Sequence, residues 1–272
     1  MGLIIPRVKA EVITYPAPQG TEASVHYLVE VIQDGKTHKP FVYVSHAQLP
    51  KFNQSETTSY SIFSFTGKTT IRVTKLNGEY GECSILPTSY GMEVSKEGNT
   101  AVFTMDRPRK VAVEFDGDIT HPLLLFADEP ETDIPSPEDP DVIWFGPGNH
   151  TPEGDITPKS GQTVYIAGGA VVNAFIKARD VSDVTIRGKG ILNGRIFGHT
   201  GGRHIIFSGN CSNITVRDIT IVDAPGFYVT TSGTGTHVKN IKGLGWWFNT
   251  DGIAVGENSL VEDCFLKCND DA

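Results

Sequence analysis

The sequence predicts a nearly all-β chain in two parts: a β-sandwich over residues 1–128 and a parallel β-helix over 142–272, joined by an acidic linker at 129–141. Three observations predict it. Short runs alternating apolar and polar residues recur through the first half with turn residues between them, the pattern of half-buried antiparallel strands. Residues 128–141, DEPETDIPSPEDPD, join acidic charge to four prolines and almost no apolar side chains, a composition that builds no core. Beyond it glycine becomes dense, with 20 occurrences in 141–272 against 9 in 1–140, and Val/Ile/Thr runs return at a loose period in the twenties.

Taken in order, the first strand is expected at Val8 to Val12 and the second at Val25 to Val31, where the odd positions carry Val25, Tyr27, Val29 and Val31. Asp34-Gly35 reads as a hairpin turn leading to Phe41–Val44. Further strands are expected at Tyr60–Phe65, Thr69–Lys75, Ala101–Met105, Lys110–Phe115 and Leu123–Phe126. In the second half the runs Thr163–Ile166, Val184–Arg187, Ile214–Arg217, His237–Ile241 and Leu260–Leu266 read as rungs of a coil. Matching Val184, Ile214, Val238 and Leu260 gives steps of 30, 24 and 22 residues. A second sandwich is the competing reading of this half. The chain stops at Ala272 without a polar capping segment, and a solenoid ending on a bare strand edge invites aggregation, so further coils are expected on its C-terminal side.

A net charge of −9 and a pI near 5.3 leave no basic stripe for phosphates, so nucleic acid is not an expected partner. No apolar run approaches the ~18 residues of a membrane span, and a membrane is not expected either. The start, MGLIIPRVKA, lacks the apolar core and cleavage site of a signal peptide. Cys83, Cys211, Cys264 and Cys268 show no zinc-ligand spacing; they read as buried small hydrophobes, with a Cys264–Cys268 disulfide as the alternative. Neither a metal nor a cofactor is expected. Four N-x-S/T sequons, at Asn53, Asn149, Asn210 and Asn213, decide nothing by themselves.

The chemistry concentrates in Trp246 to Ala272, WWFNTDGIAVGENSLVEDCFLKCNDDA. Asp251 lies in an Asn-Thr-Asp-Gly turn, and the pair Asp270-Asp271 follows 19 positions later. If one coil separates the two motifs, parallel strands about 4.8 Å apart bring three carboxylates to one outer face. Glycoside hydrolysis needs a carboxylic acid for the leaving oxygen and a carboxylate for water or direct attack, and crowding of like charges keeps one acid protonated. Adjacent residues on a regular strand face opposite sides, so Asp270 and Asp271 share a cleft only from a bulge or a strand end.

The run Asn249-Thr-Asp-Gly followed by Asn269-Asp-Asp, on a glycine-punctuated β-helix behind a sandwich, resembles the inverting polysaccharide hydrolases of the pectinase-like superfamily. Within it the chain looks most like glycoside hydrolase family 49, the dextranase and isopullulanase family. The shared features are an aromatic-rich segment before Thr-Asp-Gly, here Trp246-Trp247-Phe248, and an Asn-Asp-Asp one coil later. Val164 to Val172 and the G-x-G-x-L-x-G at Gly188–Gly194 are similar in kind. The polygalacturonase family, which shares the NTD and DD elements, is the rival. The resemblance implies a right-handed β-helix and inversion of configuration. It also implies Asp270 as general acid, with Asp251 and Asp271 positioning and deprotonating the attacking water. An α-glucan such as dextran or pullulan is the implied polysaccharide substrate, and a secreted or periplasmic location follows for the protein.

Trp246, Trp247, Asn249, Lys267 and Asn269 are the candidate substrate contacts. At least one of the aromatic triplet is expected to stack on a sugar while the others pack inside. Asn249 and Asn269 either hold the aspartates or join an interior ladder. Tyr228 and Trp144 read as packing first and as sugar contacts second, and His199, Arg203, His204 and His237 as incidental before functional. Two other classes use some of the same residues. One is a lyase with calcium on the aspartates; the other is a non-catalytic glycan-binding β-helix or adhesin.

Overall fold

The computed structural model describes residues 11–49, 54–198, 202–268 and 270–272. The chain divides into two compact units. The first comprises residues up to 15, Glu22–Val44 and Thr57–Thr132; the second comprises Pro16–Thr21, Ser45–Glu56 and Asp133–Ala272. Among the described residues no helix is long and apolar enough to cross a membrane.

The first unit is a β-sandwich. One sheet runs in the order Glu11–Thr14, Gln54–Thr66, Leu123–Asp128, Lys110–Phe115, Cys83–Leu86, with Val42–Leu49 also paired to Gln54–Thr66. The other runs Lys36–His38, Tyr27–Gln33, Thr69–Lys75, Thr100–Met105, Ser95–Glu97. Alternation sets the faces: Tyr27, Val29 and Val31 are buried while Leu28 between them is exposed. They pack with Phe63, Phe65, Ile71, Val73, Val111, Val113 and Leu125 in one core. The expected hairpin needs correction. Asp34 and Gly35, at φ 49° and 73°, turn the chain into the short strand Lys36–His38, and Val42–Leu49 belongs to the opposite sheet. Pro40 has no N–H to give a ladder, and the strand ends before it. Of the first expected strand, Val8–Ala10 lie outside the described residues.

The second unit is a parallel β-helix with three sheets. One stacks Val142–Phe145, Thr163–Ile166, Thr185–Arg187, Thr215–Arg217, His237–Lys239 and Leu260–Glu262. The next stacks Gly148–His150, Ala170–Val172, Ile191–Asn193, Thr220–Val222, Lys242–Leu244 and Phe265–Lys267. The third holds Ile176–Arg179, Ile205–Ser208, Val229–Thr231 and Ile253–Ala254. Inward residues such as Val164, Ile186, Val216 and Val238 line up rung over rung in a single core. The true register pairs Val216 with Val238 and Val238 with Val261. Matching Ile214 to Val238 therefore slips by two residues, and Leu260 pairs with His237. A two-residue slip keeps every side chain on its own face, so apolar matching does not detect it.

The bends between the first two sheets repeat as well. The residue after each of the last four rungs is Gly188, Asp218, Asn240 or Asp263, at φ 129°, 68°, 51° and 51°. Only Gly and, for the last three values, Asx residues accept such backbone at low cost. Their side chains stack: Asn240 Nδ2 donates to Asp218 Oδ1 at 2.8 Å, and one corner away Asn213 Nδ2 donates to Asp183 Oδ1 at 2.5 Å.

Candidate active site

The segment Trp246–Asp251 forms a turn between the strands Lys242–Leu244 and Ile253–Ala254. Thr250, fully buried, closes it by donating its hydroxyl to the Trp247 carbonyl at 2.6 Å, and Asn249 takes the left-handed conformation at φ 57°. Asp251 leaves this turn half-buried, and Gly252 enters the third sheet. One coil on, the strand Phe265–Lys267 ends, and Asp270 and Asp271 lie beyond its end, both exposed. The regular alternation has stopped there, so the two acids are not forced to opposite faces.

Backbone bonds hold the two coils together at this point. Gly252 N–H donates to the Asp271 carbonyl at 2.9 Å, and Asn249 N–H donates to Asp270 Oδ2 at 2.8 Å. Asp270 Oδ1 accepts the Asp271 N–H at 3.0 Å, so both oxygens of that carboxyl are held by main chain. Asp251 Oδ1 is shielded from solvent and has no hydrogen-bond partner among the described residues. An acceptor left so costs about 1–3 kcal/mol and calls for an explanation, of which a functional site is one.

Cys268 adjoins the acids, its thiol donating to the Asp271 carbonyl at 3.8 Å. Burial pushes its thiol up, the Tyr228 hydrogen bond pulls the other way, and the charges of Asp251 and Asp270 add to the upward push. Both carboxyls therefore bear on one sulfur. Tyr228 itself is fully buried. Its N–H reaches the carbonyls of Asp251 and Gly252 at 3.3 and 3.1 Å, and its hydroxyl donates to the Lys267 carbonyl at 3.1 Å. The ring crosses the intervening coil where Gly243 and Gly245 stand; a Cβ on either would come within 2.5 or 2.8 Å of it. Among the described residues no group of three or more His, Cys, Asp or Glu side chains could hold a metal.

No family model matches the chain. Curated dextranases from Arthrobacter globiformis and Arthrobacter sp. (strain CB-8) are each 26% identical to it over 48% of this chain and 25% of their own length. Dex49A from Penicillium minioluteum superposes with a TM-score of 0.77 over 96% of this chain and 65% of that one, at 20% identity. The chain is dextranase-like. Its resemblance is to glycoside hydrolase family 49, and the polygalacturonase rival is not needed. The matched region spans about a quarter of the length of the curated relatives.

In this dextranase-like chain the aromatic triplet divides. Trp246 is half-buried with the Lys267 ammonium 5.3 Å over its ring, Trp247 is half-buried, and Phe248 is 53% exposed, edge-on to Trp247 at 6.5 Å. Asn249 is exposed and binds Asp270 through its backbone rather than its side chain, so it is no part of an interior ladder. Asn269 and His199 lie outside the described residues. His204 is fully buried, and burial holds its imidazole down at about 4. Arg203 sits over Phe227 at 5.3 Å, His237 is bonded to Glu262 at 3.0 Å, and Trp144 stacks on Tyr165 at 4.6 Å. All four cysteines are free thiols, which corrects the Cys264–Cys268 disulfide alternative; Cys264 instead donates to the Glu262 carbonyl at 3.3 Å. Sequence reasoning missed the part played by Cys268 and Gly252. Their only signal was adjacency to the Asn-Asp-Asp and Thr-Asp-Gly motifs.

Proposed function

We propose that this chain carries the acid-bearing coils of an inverting glycoside hydrolase that cleaves an α-glucan of the dextran or pullulan type. Asp270 is assigned as the general acid, with Asp251 and Asp271 holding and deprotonating the attacking water. Trp246, Trp247, Asn249, Asn269 and Lys267 contact the glucan. The observation that carries this reading is the pair of main-chain N–H bonds, from Gly252 to the Asp271 carbonyl and from Asn249 to the Asp270 carboxylate, that link the two segments bearing the acids. A neutral glucan suits a chain of net charge −9 better than a polyuronate does. Intact polymers of this size do not enter cells, so the protein acts outside the cytoplasm, as a secreted or periplasmic enzyme.

The test is incubation with dextran, pullulan and polygalacturonate, reading new reducing ends and the anomeric configuration of the first product by NMR. Cleavage of an α-glucan releasing the β-anomer is expected. Asp251→Asn and Asp270→Asn should each lower turnover by roughly a thousandfold or more. Release of the α-anomer would overturn inversion. An unsaturated product that a chelator abolishes would make the chain a lyase, and undiminished activity in both variants would remove the acids from the chemistry.

A further inference from the structure

We infer that the sandwich unit carries a second glycan-binding site, a groove for a neutral oligosaccharide in a unit that holds none of the three acids. The groove arises from an incomplete sheet edge. Thr69–Lys75 pairs with the whole of Thr100–Met105, but on the other side Ser95–Glu97 covers only Thr100–Val102. The chain from Tyr90 to Val94 departs from the edge, and a cavity of about 590 Å³ opens between it and Phe103, Thr104, Asp106 and Arg109. That volume lies within the range of small-ligand sites.

The lining has the chemistry of a sugar site. Tyr90 is 37% exposed, and the Arg109 guanidinium lies 4.3 Å from its ring centre, which fixes the ring as a rigid apolar surface. Around it stand polar groups with unused capacity. Among the described residues the Arg109 side chain donates to Asp106 Oδ1 alone, at 3.3 Å, and its Nε, shielded from solvent, has no partner. The side chains of Lys68, Glu93 and Thr104, all exposed, make no hydrogen bond or ion pair to a described residue. Two cations, Lys68 and Arg109, face two anions, Glu93 and Asp106, so the groove has no net charge to select a phosphate or a polyuronate. Unfilled donors and acceptors around an exposed aromatic ring match a ligand with hydroxyls on its rim and C–H groups on its faces.

The experiment is affinity electrophoresis of the full chain through gels containing dextran, pullulan or polygalacturonate. Wild type is compared with Tyr90→Ala and Glu93→Gln, and hydrolysis of a short isomalto-oligosaccharide is followed in parallel. A neutral glucan should retard the wild type, and Tyr90→Ala should weaken the association about tenfold, as expected when an aromatic stacking surface is removed. Glu93→Gln should weaken it by a smaller factor, while melting temperature and short-substrate hydrolysis stay at wild-type values. Equal retardation of wild type and Tyr90→Ala would overturn the inference, as would retardation by polygalacturonate alone or by no polymer. The retardation is read without turnover, so an inactive but retarded wild type would count against the proposed hydrolysis and not against this groove.

Discussion

The amide of Gly252 donates to the carbonyl of Asp271 at 2.9 Å, and this bond sets the distance between the coil that carries Asp251 and the one that carries the acid pair. There is no room beside it. A Cβ at position 252 would stand 2.6 Å from the Ala272 carbonyl oxygen and 2.7 Å from Leu266 Cδ1. Gly252→Ala must therefore push residues 270–272 away from Asp251. Since a misplacement near 1 Å can cost about a hundredfold, kcat on the α-glucan should fall at least about tenfold while the melting temperature barely moves. Steady-state kinetics with a thermal melt checks this; a variant with wild-type kcat would show that the spacing does not matter.

Tyr228 supports the same spacing from inside. Its hydroxyl bond to Lys267 joins residues 39 positions apart, across a coil kept open by Gly243 and Gly245. Tyr228→Phe leaves the ring in place and removes one of two donors to the Lys267 carbonyl, which keeps the Gly245 N–H at 3.0 Å, a loss of about 0.5–1.5 kcal/mol. The expected result is a lower melting temperature and a lower kcat at unchanged KM, because the residue positions acids and touches no sugar. A rise in KM alone would make Tyr228 a substrate contact.

The strand-and-turn rhythm and the 19-residue spacing of the acids were legible in the sequence because both are local patterns: period-two alternation, and turn residues at the corners. The register was not, since sliding Ile214 onto Val238 leaves every apolar residue facing the core. Cys83–Leu86 and Ser95–Glu97 escaped notice for a related reason. The second of these is exposed throughout and the first has a single buried residue, so neither carries an alternating signal. Tyr228 was readable as a packed aromatic, but its partners are glycines and a carbonyl on later coils, and only the fold brings them together.

Gly188 tests the corner column. It occupies the place that Asp218, Asn240 and Asp263 take on later coils, yet its φ of 129° lies well outside their range of 51–68°, and a Cβ there would come within 2.0 Å of the Ile166 carbonyl oxygen. Gly188→Asn should thus destabilise the chain as severely as Gly188→Ala, by more than about 3 kcal/mol, although Asn suits the neighbouring corners. Asp263→Gly should cost under about 1 kcal/mol, since glycine enters the left-handed region freely. Denaturant melts of the three variants separate a column open to any Asx residue from one with a glycine-only rung.

Two buried groups give stability opposite slopes with pH. Burial pushes the Asp223 carboxyl up to about 6, against the pull of Ser45 Oγ at 2.6 Å and the His46 N–H at 3.0 Å, both bonded to its Oδ1. An unfolded aspartate titrates near ~3.9, so the folded chain binds the extra proton between those values, and stability is lost as pH rises through that window, by up to about 3 kcal/mol. His204 runs the other way. Burial holds it down at about 4 from 6.5, so its contribution is complete above 6.5 and is lost as pH falls toward 4. Between about 4 and 6 the two slopes offset each other, and removing one group exposes the other. Asp223→Asn, which keeps an acceptor for Ser45 and His46, should gain stability relative to wild type as pH rises from about 4 to 7. His204→Phe should show its best stability relative to wild type near pH ~4 and lose that advantage by pH ~7. Melting temperatures of the three proteins across this range decide it: parallel curves would mean that neither group changes its proton affinity on folding.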